Sequence, residues 1–207
     1  MAVDFSLLVL RVVIGLTLAA HGSMKLFGWF SSPGLKYFSG VTKSMGLRPP
    51  LFWALLAALG EFGGGLLVAL GLLTPLGALG MMGAMFFAMV KVHWSKGFWN
   101  SKGGIEFTLT LLVVAFALGL AGPGNFSLDH LIGWPVNQPV AFVIVAAVML
   151  LGLGVVIRVS KPQAAPAQAA PAQQTPAPPA QPAVQPESRP AQADQSAEPE
   201  NSTSARP

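Results

Sequence analysis

Cysteine is absent from the 207 residues, which excludes disulfide exchange, iron–sulfur ligation and thiol nucleophiles carried by this polypeptide. Charge is scarce as well. Asp, Glu, Lys and Arg make up 10% of the chain, against about 25% in soluble domains. Histidine occurs three times, and no two stand at a ligand spacing such as His-x-x-x-His, so the sequence gives no reason to expect a metal. Neither a nucleophile–base arrangement nor a phosphate-binding glycine loop is visible. Gly122-Pro123-Gly124 lacks the lysine and the following helix pattern of such a loop. The motifs therefore leave open whether any reaction is catalysed, and no cofactor is evident. The net charge of +4 comes without a basic stripe interleaved with aromatics, which argues against nucleic acid as a partner. A cleavable leader is not expected either: Asp4 stands where a basic segment should be, and Arg11 interrupts the first apolar run.

What is present is apolar sequence, 53% of all residues, gathered into five runs of helix-spanning length. They lie at about 5–24, 51–73, 75–93, 104–121 and 139–157. The expected fold is all-α, a polytopic membrane bundle over residues 1–158 in contact with the lipid bilayer. Thr74-Pro75 makes so tight a turn that the second and third spans must be antiparallel neighbours. Residues 159–207 are rich in Pro, Ala and Gln and hold eleven of the 18 prolines. This tail cannot bury a core and is expected to be disordered. If the spans alternate, the segments 25–50 and 91–104 and the tail share one face. With Arg158 at the very end of the fifth span, they carry every Lys and Arg except Arg11. The positive-inside rule then puts the N-terminus outside and the tail in the cytoplasm.

Few polar residues lie within the spans, so each implies a partner or a cavity. Glu61 stands near the middle of the second span, followed by Gly63, Gly64 and Gly65. Arg11 and His21 lie in the first span, with Gly15 and Gly22 on the Arg11 face. Counted from the outer ends at about 1.5 Å per residue, Arg11 is about 9 Å deep, Glu61 about 18 Å and His21 about 24 Å. These depths predict a buried Arg11–Glu61 pair with His21 beside the carboxylate. The pair reads either as a lock on helix packing or as a functional site. A second polar group, His21, Lys25, Lys91, His93 and Glu106, gathers at the inner interface. It reads either as interfacial snorkelling or as a polar mouth for a lipid-soluble ligand such as a quinone. Gly80, Ala84 and Ala88 form a close-packing face on the third span. Ser127 stands where it would cap a short helix.

The stretch LRVVIGLTLAAHGSMKLFGWF resembles the opening of DoxX-family membrane proteins, through Arg11, Gly15, His21, Gly22, Lys25, Leu26 and Phe27. GEFGGGLLVALGLLTP is similar to the family's second signature, at Glu61, Gly64, Gly71 and Thr74. HWSKGFWNSKGGIEF and GPGNFSLD resemble its later ones, at His93, Gly97, Phe98, Trp99, Gly104 and Glu106, then Gly122, Gly124, Ser127 and Asp129. The resemblance covers about residues 5–130. It implies a four-helix core, to which this chain adds a fifth transmembrane helix and a long tail, in a bacterial cytoplasmic (inner) membrane. It also implies an association with quinone-linked redox or oxidative-stress complexes. Two readings follow. One is an accessory or scaffold subunit of a membrane redox complex, with partner subunits and a polar intramembrane site of Arg11, His21, Glu61, His93 and Glu106. In it Gly15, Gly22, Gly64 and Gly71 are structural. The other is an autonomous quinone-linked oxidoreductase or small-molecule transporter.

Overall fold

The structure, a computed structural model, describes residues 1–134 and 138–160. The tail expected to be disordered lies outside the described residues, apart from its first two positions. Every regular element among the described residues is helical. α1 (Ala2–Phe27) ends at Gly28, whose positive φ of 72° stops the helix. α3 (Pro50–Leu70) begins with a proline at its first turn and ends at Gly71, φ 65°. The Leu72 amide there donates to the Leu67 carbonyl at 2.9 Å. α4 (Thr74–Ala88) again opens with a proline in its first turn. It runs on through a widened turn, Met89–His93, to Lys96. α5 (Glu106–Ala121), a short α6 (Leu128–Leu131) and α7 (Pro139–Val159) complete the described chain.

Among the described residues, four helical stretches are long and apolar enough to cross a membrane: Ala2–Phe27, Pro50–Leu70, Thr74–Lys96 and Pro139–Val159. α5 is an apolar helix of 16 residues, about 24 Å long. α1 packs on α3, α3 on α4 and α4 on α5, while α7 lies against α4 and α5. The core runs through Leu18, Val68, Ala78, Met81, Met85, Leu111, Ala115 and Leu118. Around it large apolar side chains stay exposed, among them Leu16, Leu59, Leu76, Val113 and Val148. That is the inverse of a soluble surface and the surface a bilayer requires.

One element was not expected. Within the segment 25–50, read from sequence as a loop, residues Gly34–Ser44 form α2, which packs on α3 and α1. Leu35, Phe38, Val41 and Met45 recur at a spacing of three to four, the signature of a short amphipathic helix. The lysines of the same stretch masked that signal.

Candidate functional site

Glycine sets the register of the α1–α3 pair. A methyl group on Gly15 would stand 2.5 Å from the Gly65 carbonyl oxygen and 2.7 Å from the Ala69 nitrogen. One on Gly22 would overlap the Phe62 backbone. The helices therefore touch along their backbones, and only glycine permits this at those positions. The three consecutive glycines serve different neighbours. Gly65 lies on α1, Gly64 on the Gly77 carbonyl of α4, and Gly63 meets nothing within 4 Å.

That register separates the two residues expected to pair. Because α1 and α3 are antiparallel, each step along α1 from Gly15 toward Gly22 is matched by a step down α3 from Gly65 toward Phe62. Followed further, it brings Lys25 to Glu61 and Arg11 to Gly71. Lys25 Nζ forms an ion pair and hydrogen bond with Glu61 Oε1. The Glu61 side chain is 2% exposed and that of Lys25 28%. The ammonium also lies 5.1 Å from the centre of the Phe38 ring on α2, a cation–π contact. Glu61 Oε2 is buried without a hydrogen-bond partner among the described residues. The expected Arg11–Glu61 pair is thus replaced by Lys25–Glu61. Depth counting failed because it assumed flush outer ends, whereas the start of α1 projects beyond the end of α3.

The projecting end of α1 is covered by the segment after α5. Asp4 accepts a hydrogen bond from the Asn125 amide at 3.2 Å, and a methyl on Gly124 would touch Leu7. Arg11 is fully buried, donates to the Phe126 carbonyl at 2.5 Å and fills the space that a side chain on Gly71 would need. Its Nε and Nη1 have no partner among the described residues. Asp129, also fully buried, accepts from the Leu73 amide at 2.9 Å and the Thr74 amide at 3.3 Å. Its own amide donates to the Gly71 carbonyl at 2.9 Å. A carboxylate thus satisfies the free N–H groups that start α4. It also fixes Leu73 in the left-handed region, φ 46°, a conformation that leucine adopts only when its surroundings impose it. Ser127 caps α6, accepting from the His130 amide at 3.2 Å, as its position in the sequence suggests.

The other candidate residues lie toward the helix ends opposite the N-terminus and serve different elements. His21 is exposed, its ring 6.1 Å from that of Phe107 on α5. His93 Nδ1 is 2.6 Å from the Gly103 carbonyl oxygen. Glu106 Oε2 accepts from the Asn100 amide at 2.9 Å. His93 and Glu106 therefore hold the turn between α4 and α5 rather than join Glu61. Lys91 reaches the carbonyl oxygens of Met45 at 3.3 Å and Ser160 at 3.2 Å, tying the α2–α3 connection to the end of α7. No group of three or more His, Asp or Glu side chains converges as metal ligands among the described residues.

Sequence reasoning undervalued Lys25 as a charge partner and Asp129 as a buried anchor. Both signals were there: Lys25 belongs to the same motif as Gly22, and Asp129 follows a capping serine. Residues 6–94 match the family model described as DoxX. No curated protein and no solved structure matches the chain. The matched segment holds Arg11, Gly15, Gly22 and Lys25 on α1 and Glu61, Gly64, Gly71 and Thr74 on or just after α3. Together with the apolar helices and their glycine contacts, it identifies residues 6–94 as a DoxX-family membrane segment.

Proposed function

We propose that this chain is an accessory subunit of a membrane-associated redox complex, offering partners or a lipid-soluble ligand a polar intramembrane site centred on Glu61 and Lys25. The observation that carries the reading is Glu61 itself. It is buried, one oxygen is held by Lys25, and the other has no partner among the described residues. A carboxylate at such depth is costly and marks function more often than one in water. The redox association is an inference from the family resemblance. His21 is exposed one helical turn before Lys25, with its ring beside Phe107 of α5. Arg11 anchors the far end of α1, and His93 and Glu106 shape the inner connection.

The atoms present suit the head of a quinone or quinol. Glu61 Oε2 can accept from a hydroxyl, and Lys25 Nζ has further hydrogens for a carbonyl. The family resemblance implies a bacterial cytoplasmic membrane, and the charge pattern supports an N-terminus outside, with residues 159–207 as a cytoplasmic appendage to a transmembrane domain of residues 1–158.

The test is purification in mild detergent with mass spectrometry of everything that accompanies the protein. The expected result is co-purification of at least one membrane or redox subunit, weakened in Lys25→Met. A protein that emerges alone and ligand-free would sink the reading. A quinone retained without partners, and lost in Glu61→Gln, would move it to an autonomous quinone-linked protein.

A further inference from the structure

A groove of about 560 Å³ lies between α3, α4 and α7. Gly60, Gly63, Gly80 and Gly83 line it, Gly63 and Gly83 leaving it open, and its remaining walls are almost wholly apolar. Gly63 meets nothing within 4 Å, and Gly83 meets only Met149, at 3.6 Å. On α3 the groove runs from Trp53 to Leu67, about 21 Å at the helical rise. That exceeds half of a hydrocarbon core about 30 Å thick, so the length suits an extended acyl chain.

A basic corner adjoins one end of the groove. Trp53, which lines its inner end, donates from Nε1 to the Arg48 carbonyl at 3.3 Å. Arg48, Lys43, Pro49 and Pro50 line a second pocket at that corner. The corner is built rigidly. Buried Thr42, next to Lys43, donates from Oγ1 to the Pro50 carbonyl at 2.8 Å, and the Leu47 amide returns to the Thr42 carbonyl at 3.2 Å. Leu47 beneath it is buried against Phe87 and Ile157. Trp53 thus ties the inner end of the apolar slot to the backbone of the basic corner.

We propose that this groove and corner bind an anionic phospholipid, with an acyl chain along Gly60, Gly63 and Gly83 and the phosphate on Lys43 and Arg48. The charge placement favours lipid over a second copy of the chain. A two-fold contact through the groove would bring two basic corners to the same level, whereas a headgroup phosphate neutralises one. The face on which they lie is also the one the charge rule assigns to the anionic leaflet.

The test uses the full chain in nanodiscs of equal phosphatidylglycerol and phosphatidylcholine, with the lipids retained on release identified by native mass spectrometry. Phosphatidylglycerol should be retained in preference, roughly fivefold for each basic side chain engaged. Lys43→Gln with Arg48→Gln, both exposed positions, should bring the two lipids to near parity. Gly63→Leu should lower retention of both, because it fills the slot and leaves the corner intact. Parity in the unmodified protein, or a preference that survives the double substitution, would overturn the proposal. So would full displacement by soluble glycerol phosphate, which would mean a phosphate site without a tail. A dimer mass abolished by Gly63→Leu would assign the groove to a second copy instead.

Discussion

The Lys25–Glu61 pair makes an asymmetric prediction. Replacing Lys25 with Met leaves a carboxylate that is 2% exposed with neither oxygen bonded. Removing one partner of a buried pair in this way costs about 3–5 kcal/mol. Replacing Glu61 with Gln leaves a lysine that is 28% exposed, can turn toward the interface and keeps the Phe38 ring beneath it. The amide oxygen can still accept from it, so the loss should be nearer 1.5–3 kcal/mol, roughly the value of a hydrogen bond to a charged group. The double variant carries no buried charge at this place and should be more stable than Lys25→Met alone. Each variant would be unfolded by graded denaturant in a fixed detergent micelle and followed by helical circular dichroism. Arg11→Leu serves as the control. It lies at the other end of α1, against Phe126 and Gly71, so its loss should add to that of Glu61→Gln within about 0.5 kcal/mol. Equal losses in the two single variants, with simple additivity in the double, would refute the pair. Strong coupling of Arg11→Leu to Glu61→Gln would refute the register that places it.

The glycines give a sharper contrast with smaller perturbations. Gly65→Ala places a methyl 2.5 Å from the Gly15 carbonyl oxygen and 2.6 Å from the Ala19 nitrogen, and should cost roughly 1–3 kcal/mol through forced backbone movement. Gly63→Ala, two residues away with nothing within 4 Å, should instead be neutral or stabilise by up to about 1 kcal/mol through helix propensity; the same denaturant titration reads both. Asp129→Ala removes the acceptor at the start of α4 and should cost about 1–2 kcal/mol. Hydrogen exchange should then rise first at the Leu73 and Thr74 amides, and unchanged protection there would show that the carboxylate does not cap the helix.

Hydropathy made the helices legible, because a run of apolar residues long enough to cross a bilayer has few other uses. Glycine spacing likewise exposed the close-packing faces. Gly15 and Gly22 do lie on backbone, as does Gly80, which sits on the Gly60 carbonyl. What sequence could not supply was register. Periodicity says which residues share a face of one helix, not which residue of the next helix stands opposite. An overhang of a few turns changes every depth counted from an end. Arg11 and Glu61 were matched on such counts, and the projection of α1 under residues 124–129 undid the match. α2 was hidden for a related reason, since an interfacial helix keeps its lysines on one side and its few apolar residues on the other.

The polar residues of α1 take on a common logic once the register is known. Arg11, Gly15, Gly22 and Lys25 form a series of cation, small residue, small residue, cation along one helix. Each cation is answered by a different part of the fold: Arg11 by the segment after α5, and Lys25 by Glu61 of α3. A shift of α1 by one residue would rotate the series by about 100° and unmake all four contacts, so the series specifies one packing. Specifying a packing does not require a carboxylate, however. A buried ion pair can often be replaced by apolar residues of similar volume at no loss of stability, or even with a gain. The lock accounts for the bond between Lys25 and Glu61 Oε1, but not for Oε2, which is buried without a partner among the described residues. In a bilayer that atom is a standing cost, and a ligand or partner that donates to it is the simplest reason for a carboxylate at position 61.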